Sequence, residues 1–188
     1  MKIAARLSVL ALAYASTAWC APPADPAAAA AESQPAAWTP KELRFIYQGF
    51  TTRYSCDGLR DKVRSVVLAL GARKKDLSVN EWGCSSPDGR PDPFPGVNIK
   101  MQVLTPLAAA ATADATTVAA HWKTVDLRLE QDAVAESGNC ELIEQIKQSI
   151  LPLFTTRNVE YSSNCVPHQL SVGGTRLRAQ VLVSDATH

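Results

Sequence analysis

The chain has 188 residues, of which 46% are hydrophobic and 20% are charged, and its formal net charge is +1. This near balance of charge excludes nucleic-acid binding driven by bulk positive charge. Residues 38–188, about 150 residues, are enough for one domain with a hydrophobic core.

The first 20 residues have the layout of a secretory signal peptide. Lys2 and Arg6 precede an apolar run at 7–15 that is too short to span a bilayer, and small residues follow. Cleavage after Cys20 leaves four cysteines and changes the formal charge from +1 to −1, because Lys2 and Arg6 are lost. We therefore predict an exported protein, either periplasmic or secreted.

Two other fates of Cys20 stay open. Cleavage after Ala18 would leave Cys20 as an odd, reactive thiol. Acylation of Cys20 would make a lipoprotein, although Trp19 stands where a lipobox needs a small residue. The membrane is therefore a predicted partner only if Cys20 carries lipid.

Residues 21–37 differ in composition from the rest of the chain. They are almost wholly Ala and Pro and have no apolar periodicity, so they cannot bury enough surface to offset the entropy of ordering. We predict a disordered linker at 21–37, followed by a single α+β domain at 38–188.

The predicted domain consists of two related halves, about 41–104 and 121–184. In each half, a cysteine begins an amphipathic helix, a short β-like segment ends in a second cysteine, and an alternating strand contains Gln-Val-Leu. A weaker match upstream of each helix predicts a first strand. The matched residues are Tyr47, Phe50, Thr52 and Tyr54 in the first half and Trp122, Val125, Leu127 and Leu129 in the second.

This pattern predicts a tandem β-α-β-β pseudo-repeat with one disulfide in each half. The fold class would be α+β, a two-layer arrangement with a mainly antiparallel sheet and two helices on one face. Residues 105–120 would connect the halves. The alternative is that two amphipathic helices flanked by strands align by their period alone.

The lengths of the elements favour one of the three ways of pairing four cysteines. A helix from Cys56 to Gly71 advances about 22 Å, and an extended segment from Leu77 to Cys84 returns about 23 Å. The same geometry applies to Cys140 and Cys165. We predict the disulfides Cys56–Cys84 and Cys140–Cys165.

No pattern of catalytic residues, metal ligands or cofactor contacts stands out. A metal site would need Cys165 and His168 with Cys140 or His121, but an oxidising compartment consumes thiolates, and no CxxC or HxxxH motif completes the ligands. There is no Gly-x-Ser-x-Gly motif. Glu141 is explained as an acidic residue at a helix start. We predict no catalytic residue, no metal and no cofactor.

Two features could form a binding surface. The proline-rich loop 85–96 would present Phe94 on a stiff scaffold. A second candidate is the outward row of Asn98, Lys100 and Gln102 with its counterpart Arg176, Arg178 and Gln180, a modestly basic face if the two strands are neighbours. The alternatives are an ordinary long connection and an ordinary solvated sheet face.

These observations favour an exported, disulfide-bonded, non-enzymatic module that binds a protein, a glycan or another cell-envelope component. The candidate binding residues are Phe94, Lys100, His168, Arg176 and Arg178. The alternative is a periplasmic enzyme or metal-binding protein that uses the loop of Cys165 and His168.

Overall fold

The computed structural model describes residues 33–50, 53–84, 94–107, 117–127, 136–166 and 174–184. The predicted signal peptide, residues 21–32 of the predicted linker and His168 lie outside these ranges. Within the ranges, no helix combines the length and the apolar character that crossing a membrane requires.

The described residues form a six-stranded antiparallel sheet and two α-helices, which confirms the predicted α+β class. The elements in chain order are β1 (Gln34–Ile46), α1 (Cys56–Ala69), β2 (Ser78–Trp82), β3 (Gly96–Pro106), β4 (Thr117–Leu127), α2 (Glu136–Gln145), β5 (Thr156–Ser163) and β6 (Thr175–Ser184). The strand order is β2-β3-β1-β4-β6-β5, and every neighbouring pair is antiparallel. The first half (β1 to β3) and the second half (β4 to β6) therefore meet at β1 and β4.

Local sequence signals explain where α1 begins and ends. The Ser55 hydroxyl accepts a hydrogen bond from the backbone N of Gly58 at 3.3 Å, which caps the first turn. Gly71, with a φ of 96°, follows the last turn in the left-handed conformation that favours glycine. The apolar face of the helix is buried and consists of Leu59, Val63, Val66 and Val67.

The second helix starts earlier than predicted. α2 begins at Glu136, so Cys140 and Glu141 lie in its second turn, and the macrodipole explanation for Glu141 was wrong. After α2 the chain continues as a π-helical turn at Ile146–Ile150 and a 3₁₀ turn at Leu151–Leu153. Pro152 has no backbone N–H, so the α-helical pattern cannot continue through it.

One large core contains residues of both helices and of the sheet. On β3, alternate residues are buried, because successive side chains of a strand point to opposite faces. Leu104, also buried, belongs to a smaller separate cluster, and the remaining buried hydrophobic set on this strand is Val97, Ile99, Met101 and Val103. It packs in the same cluster as the apolar residues of α1 and α2. Asn98, Lys100 and Gln102 consequently lie on the opposite face of the sheet.

The first strand is not where the sequence match predicted it. β1 runs from Gln34 to Ile46, so Tyr47 and Tyr54 follow the strand and 34–37 of the predicted linker belong to it. The two prolines of β1 obscured its strand pattern in the sequence. Pro40 is tolerated because it lies beyond Ala37, where β1 pairs with β3 but not with β4, and Pro35 lies at the start of the strand, before the pairing with β3 begins at Ala36.

The seam between the halves is short and is reinforced from both sides. β1 and β4 pair over the four residues of Gln34–Ala37. Gly71, at the end of α1, packs on β6 so closely that an added Cβ would lie 3.1 Å from Val183. Thr155, after the second helical segment, donates a hydrogen bond to the carbonyl of Leu104 in β3 at 2.9 Å. Each half therefore contacts a strand of the other.

Candidate binding surface

Both predicted disulfides are present. Cys56 is joined to Cys84 with the Cα atoms 6.0 Å apart, and Cys140 is joined to Cys165 at 6.2 Å. Each bond links a helix to the segment beyond the next strand, as the return-path geometry predicted. Disulfides persist in oxidising compartments, so this pair indicates such an environment.

The structure describes only part of the loop of Cys165 and His168, which the alternative prediction assigned to a metal site or an enzyme. The Cys165 sulfur is bonded to Cys140, so Cys165 is not a thiolate ligand in this state. The Thr175 hydroxyl lies 3.0 Å from that sulfur. His168 is outside the described ranges. Within them, no group of three or more His, Cys, Asp or Glu side chains is arranged to hold a metal ion.

The polar rows of β3 and β6 do not form one continuous surface. The condition for such a surface, that the two strands are neighbours, is not met, because β1 and β4 lie between them. The polar row of β3 lies beside β1, and the polar row of β6 lies beside β4. The two halves must therefore be considered separately.

In the second half, both predicted arginines are ion-paired. Arg176 donates to both carboxylate oxygens of Asp126, from Nε to Oδ1 at 3.2 Å and from Nε and Nη2 to Oδ2 at 3.0 and 2.6 Å. This hydrogen bonding raises the pKa of Arg176. Arg178 lies 3.9 Å from Glu160. The predicted basic row is thus largely neutralised here.

In the first half, a shallow concavity of about 590 Å³ is lined by residues of the three neighbouring strands β2, β3 and β1. Its polar lining residues occupy adjacent rows across β2, β3 and β1, with Asn80 opposite Asn98 and Asn98 opposite Arg44. We call the surface formed by Glu42, Arg44, Asn80, Asn98 and Lys100 the polar depression. Lys100, a predicted binding residue, is part of it.

Arg44 differs from Lys100, the other cation of the polar depression, because it has no acidic partner within the part of the chain that the structure describes. Its Nε donates to Asn98 Oδ1 at 3.2 Å, and its guanidinium carbon lies 4.5 Å from the centroid of the Trp82 ring. Among the described residues Arg44 forms no ion pair, whereas Lys100 lies 3.1 Å from Glu42. The guanidinium is therefore oriented but not neutralised.

Trp82 is held beside the polar depression by a glycine. Gly96 lies opposite Trp82 in the ladder, and an added Cβ on Gly96 would come within 3.0 Å of the Trp82 ring. Trp82 remains 37% exposed. Phe94, the predicted tip of the proline-rich loop, precedes Gly96 and is 58% exposed, so it lies at the same end of β3. The site thus has an apolar border.

Sequence reasoning missed Arg44, Asn80 and Trp82. Arg44 alternates with Leu43 and Phe45, a period-2 signal that would have revealed it if β1 had been recognised as a strand. Trp82 and Asn80 belong to a segment that was predicted as β-like, but only the ladder shows which residues they face.

A second polar cluster joins the two halves at a partly exposed position. Glu141 of α2 accepts hydrogen bonds from the backbone N of Phe50 at 2.9 Å and from the Tyr47 hydroxyl at 3.3 Å. Gln145, one turn later, bonds both the N and the O of Gln48 at 3.0 and 2.7 Å. Burial raises the pKa of Tyr47, with smaller contributions from Tyr54 and Glu141. The phenol is therefore neutral and acts as a donor, a structural role.

No protein-family model, curated protein or solved structure matches this chain.

Proposed function

We propose that this chain is an exported, non-enzymatic binding module of the cell envelope, and that the polar depression is its binding surface. The observation that carries the proposal is the oriented, unpaired Arg44 in a concavity of about 590 Å³. A cation that is fixed by Asn98 and Trp82 without a carboxylate is suited to receive a ligand group.

The scaffold supports this proposal because it is rigid where the ligand would bind. The strand β3 is hydrogen-bonded to β1 on one side and to β2 on the other. The Cys56–Cys84 disulfide links α1 to the end of β2. Side chains held on such a sheet lose little conformational freedom on binding, so the entropy cost of ordering them reduces the affinity less.

Export is supported by two independent features. The N-terminal residues have the charge and apolar pattern of a signal peptide. The two disulfides require an oxidising compartment to persist. The cell envelope or its surroundings is the location that fits both features.

We also propose that the two halves are copies of one unit and that both helices cover the same sheet face. In each shared Gln-Val-Leu segment, the leucine lies opposite a tryptophan of the preceding strand. The pairs are Leu104 with Trp38 and Leu182 with Trp122. Each tryptophan has an arginine over its ring, Arg73 at 5.1 Å and Arg157 at 4.3 Å. Residues of both helices belong to one core cluster.

The same correspondence supports placing the binding surface in the first half. The register of Gln-Val-Leu aligns Asn98 with Arg176 and Glu42 with Asp126. Arg176 binds Asp126 directly, so the charges of the second half satisfy one another. Asn98 carries no charge, so in the first half it accepts a hydrogen bond from Arg44 without neutralising it.

Sedimentation with cell envelopes tests the proposed function. The mature protein, with both disulfides intact, is incubated with envelopes of the producing cell and pelleted. We expect Asn80→Trp, which fills the polar depression from an edge strand, to weaken binding at least about tenfold. The control is Ser162→Trp, an exposed position on the other edge strand, β5. Absence of envelope binding, or equal binding by both variants, would contradict the proposal.

A further inference from the structure

We propose that the polar depression binds an acidic glycan, and that Arg44 holds a carboxylate of its sugar units. This inference rests on the proposed function and adds the chemical class of the ligand. It follows from the charge of the site, from the groups that line it and from its position on the sheet.

The charge of the site indicates an anionic group. Within the polar depression, Glu42 and Lys100 neutralise each other at 3.1 Å, which leaves the charge of Arg44 unbalanced. The Nε of Arg44 donates a hydrogen bond to Asn98, and one face of the guanidinium packs on the Trp82 ring. Its two terminal nitrogens remain to form the paired hydrogen bonds with which a guanidinium recognises a carboxylate.

The lining indicates that the rest of the ligand is polyhydroxylated. Asn98 accepts from Arg44 through its Oδ1, so its amide nitrogen remains a donor. Asn80, Glu42 and Lys100 add further donors and acceptors on a shallow surface. Ligand sites for apolar molecules are lined mainly by hydrophobic side chains. This site instead offers alternating hydrogen-bonding groups, which match the hydroxyls of a sugar chain.

The position on the sheet disfavours an acidic peptide. An extended peptide gains affinity from backbone hydrogen bonds at a sheet edge and from pockets for its side chains. The polar depression lies over β3, whose backbone is paired with β1 and β2 on its two sides. A peptide would therefore find no backbone partners there. A sugar needs none, and the exposed part of the Trp82 ring can cover its C–H groups.

Binding of defined oligomers to the mature protein, with both disulfides intact and without an affinity tag, tests this inference. The probes are hexagalacturonate and hexamannuronate, two acidic sugar chains of different stereochemistry, with fully methyl-esterified hexagalacturonate and hexaglutamate as comparisons. The readouts are calorimetry and tryptophan fluorescence. We expect at least one acidic hexamer to bind, and we expect esterification or Arg44→Gln to weaken that binding at least about tenfold.

Matched variants separate the role of Arg44 from general charge. Arg178→Gln removes an arginine of the second half that lies beside Glu160, and we expect it to leave binding unchanged. Arg44→Lys keeps the charge but loses the planar fork, so its affinity should fall between the native protein and Arg44→Gln. If Arg44→Gln fails to fold, Arg44→Lys and the methyl ester carry the test.

Several outcomes would overturn the inference. They are absence of binding by both acidic hexamers, equal affinity for the acid and its ester, equal losses in Arg44→Gln and Arg178→Gln, and equal affinity for hexaglutamate, which would indicate a peptide ligand. If the acidic hexamers fail while Asn80→Trp still abolishes envelope binding, the proposed function stands and the ligand class is wrong. If the envelopes do not bind the protein, the proposed function itself fails.

Discussion

Glu141 is expected to stabilise the domain by joining α2 to the segment that follows β1, and Glu141→Ala tests this. The substitution removes the acceptor of the Phe50 backbone N at 2.9 Å and of the Tyr47 hydroxyl at 3.3 Å. Hydrogen bonds to charged groups contribute about 1.5–3 kcal/mol each to the free energy of unfolding. These two bonds are partly exposed and one of them is long, so we expect them to contribute about 2–3 kcal/mol together. For a domain of about 150 residues, this corresponds to a fall in Tm of about 4–12 °C.

The assay is thermal and urea unfolding followed by circular dichroism under non-reducing conditions, so that both disulfides are retained. Glu144→Ala is the matched control, because Glu144 lies on the same helix and is exposed, with a contact to Gln148 at 3.4 Å. We expect the control to change the free energy of unfolding by less than about 0.5 kcal/mol. Equal losses in the two variants would refute the assigned role of Glu141.

Two further predictions concern glycine packing and buried tyrosines. Gly96→Ala places a Cβ 3.0 Å from the Trp82 ring, so it should shift tryptophan fluorescence and lower the free energy of unfolding by about 1–3 kcal/mol. Gly174→Ala is the control, because a Cβ there would lie in open space. Unchanged fluorescence of Gly96→Ala would contradict the packing of Trp82 on Gly96. Burial raises the pKa of Tyr47 and of Tyr54 above the ordinary value of 10.0, so their contribution to stability is fully present below that pH and is lost as pH rises beyond it. Urea unfolding across this range should show a fall that is smaller in Tyr47→Phe, and an equal fall in both proteins would refute it.

The disulfides and the buried strands could be predicted from local sequence. Cys56 and Cys84 are joined by a helix and a returning strand of similar length, so their pairing follows from two element lengths. β3 alternates apolar and polar residues from Val97 to Val103, which fixes both its type and its inner face. Both predictions depend only on residues that are close in sequence.

The candidate site could not be predicted because it depends on contacts between distant segments. Arg44 and Asn98 are 54 residues apart, and their contact follows from the β1–β3 register rather than from any local motif. Pro35 and Pro40 concealed β1, so the row that contains Arg44 was not considered. The pairing of Arg176 with Asp126 likewise requires the β4–β6 ladder, which is why the second half was predicted to be more basic than it is.

The short seam between the halves has a consequence for cooperativity. Four paired residues of β1 and β4 would make a weak joint if nothing else crossed it. However, Gly71 rests on β6 and Thr155 binds the Leu104 carbonyl of β3, so neither half can open without exposing contacts of the other. Two disulfides, each confined to one half, therefore do not divide the molecule into two folding units. We expect it to unfold in a single transition, as one cooperative domain.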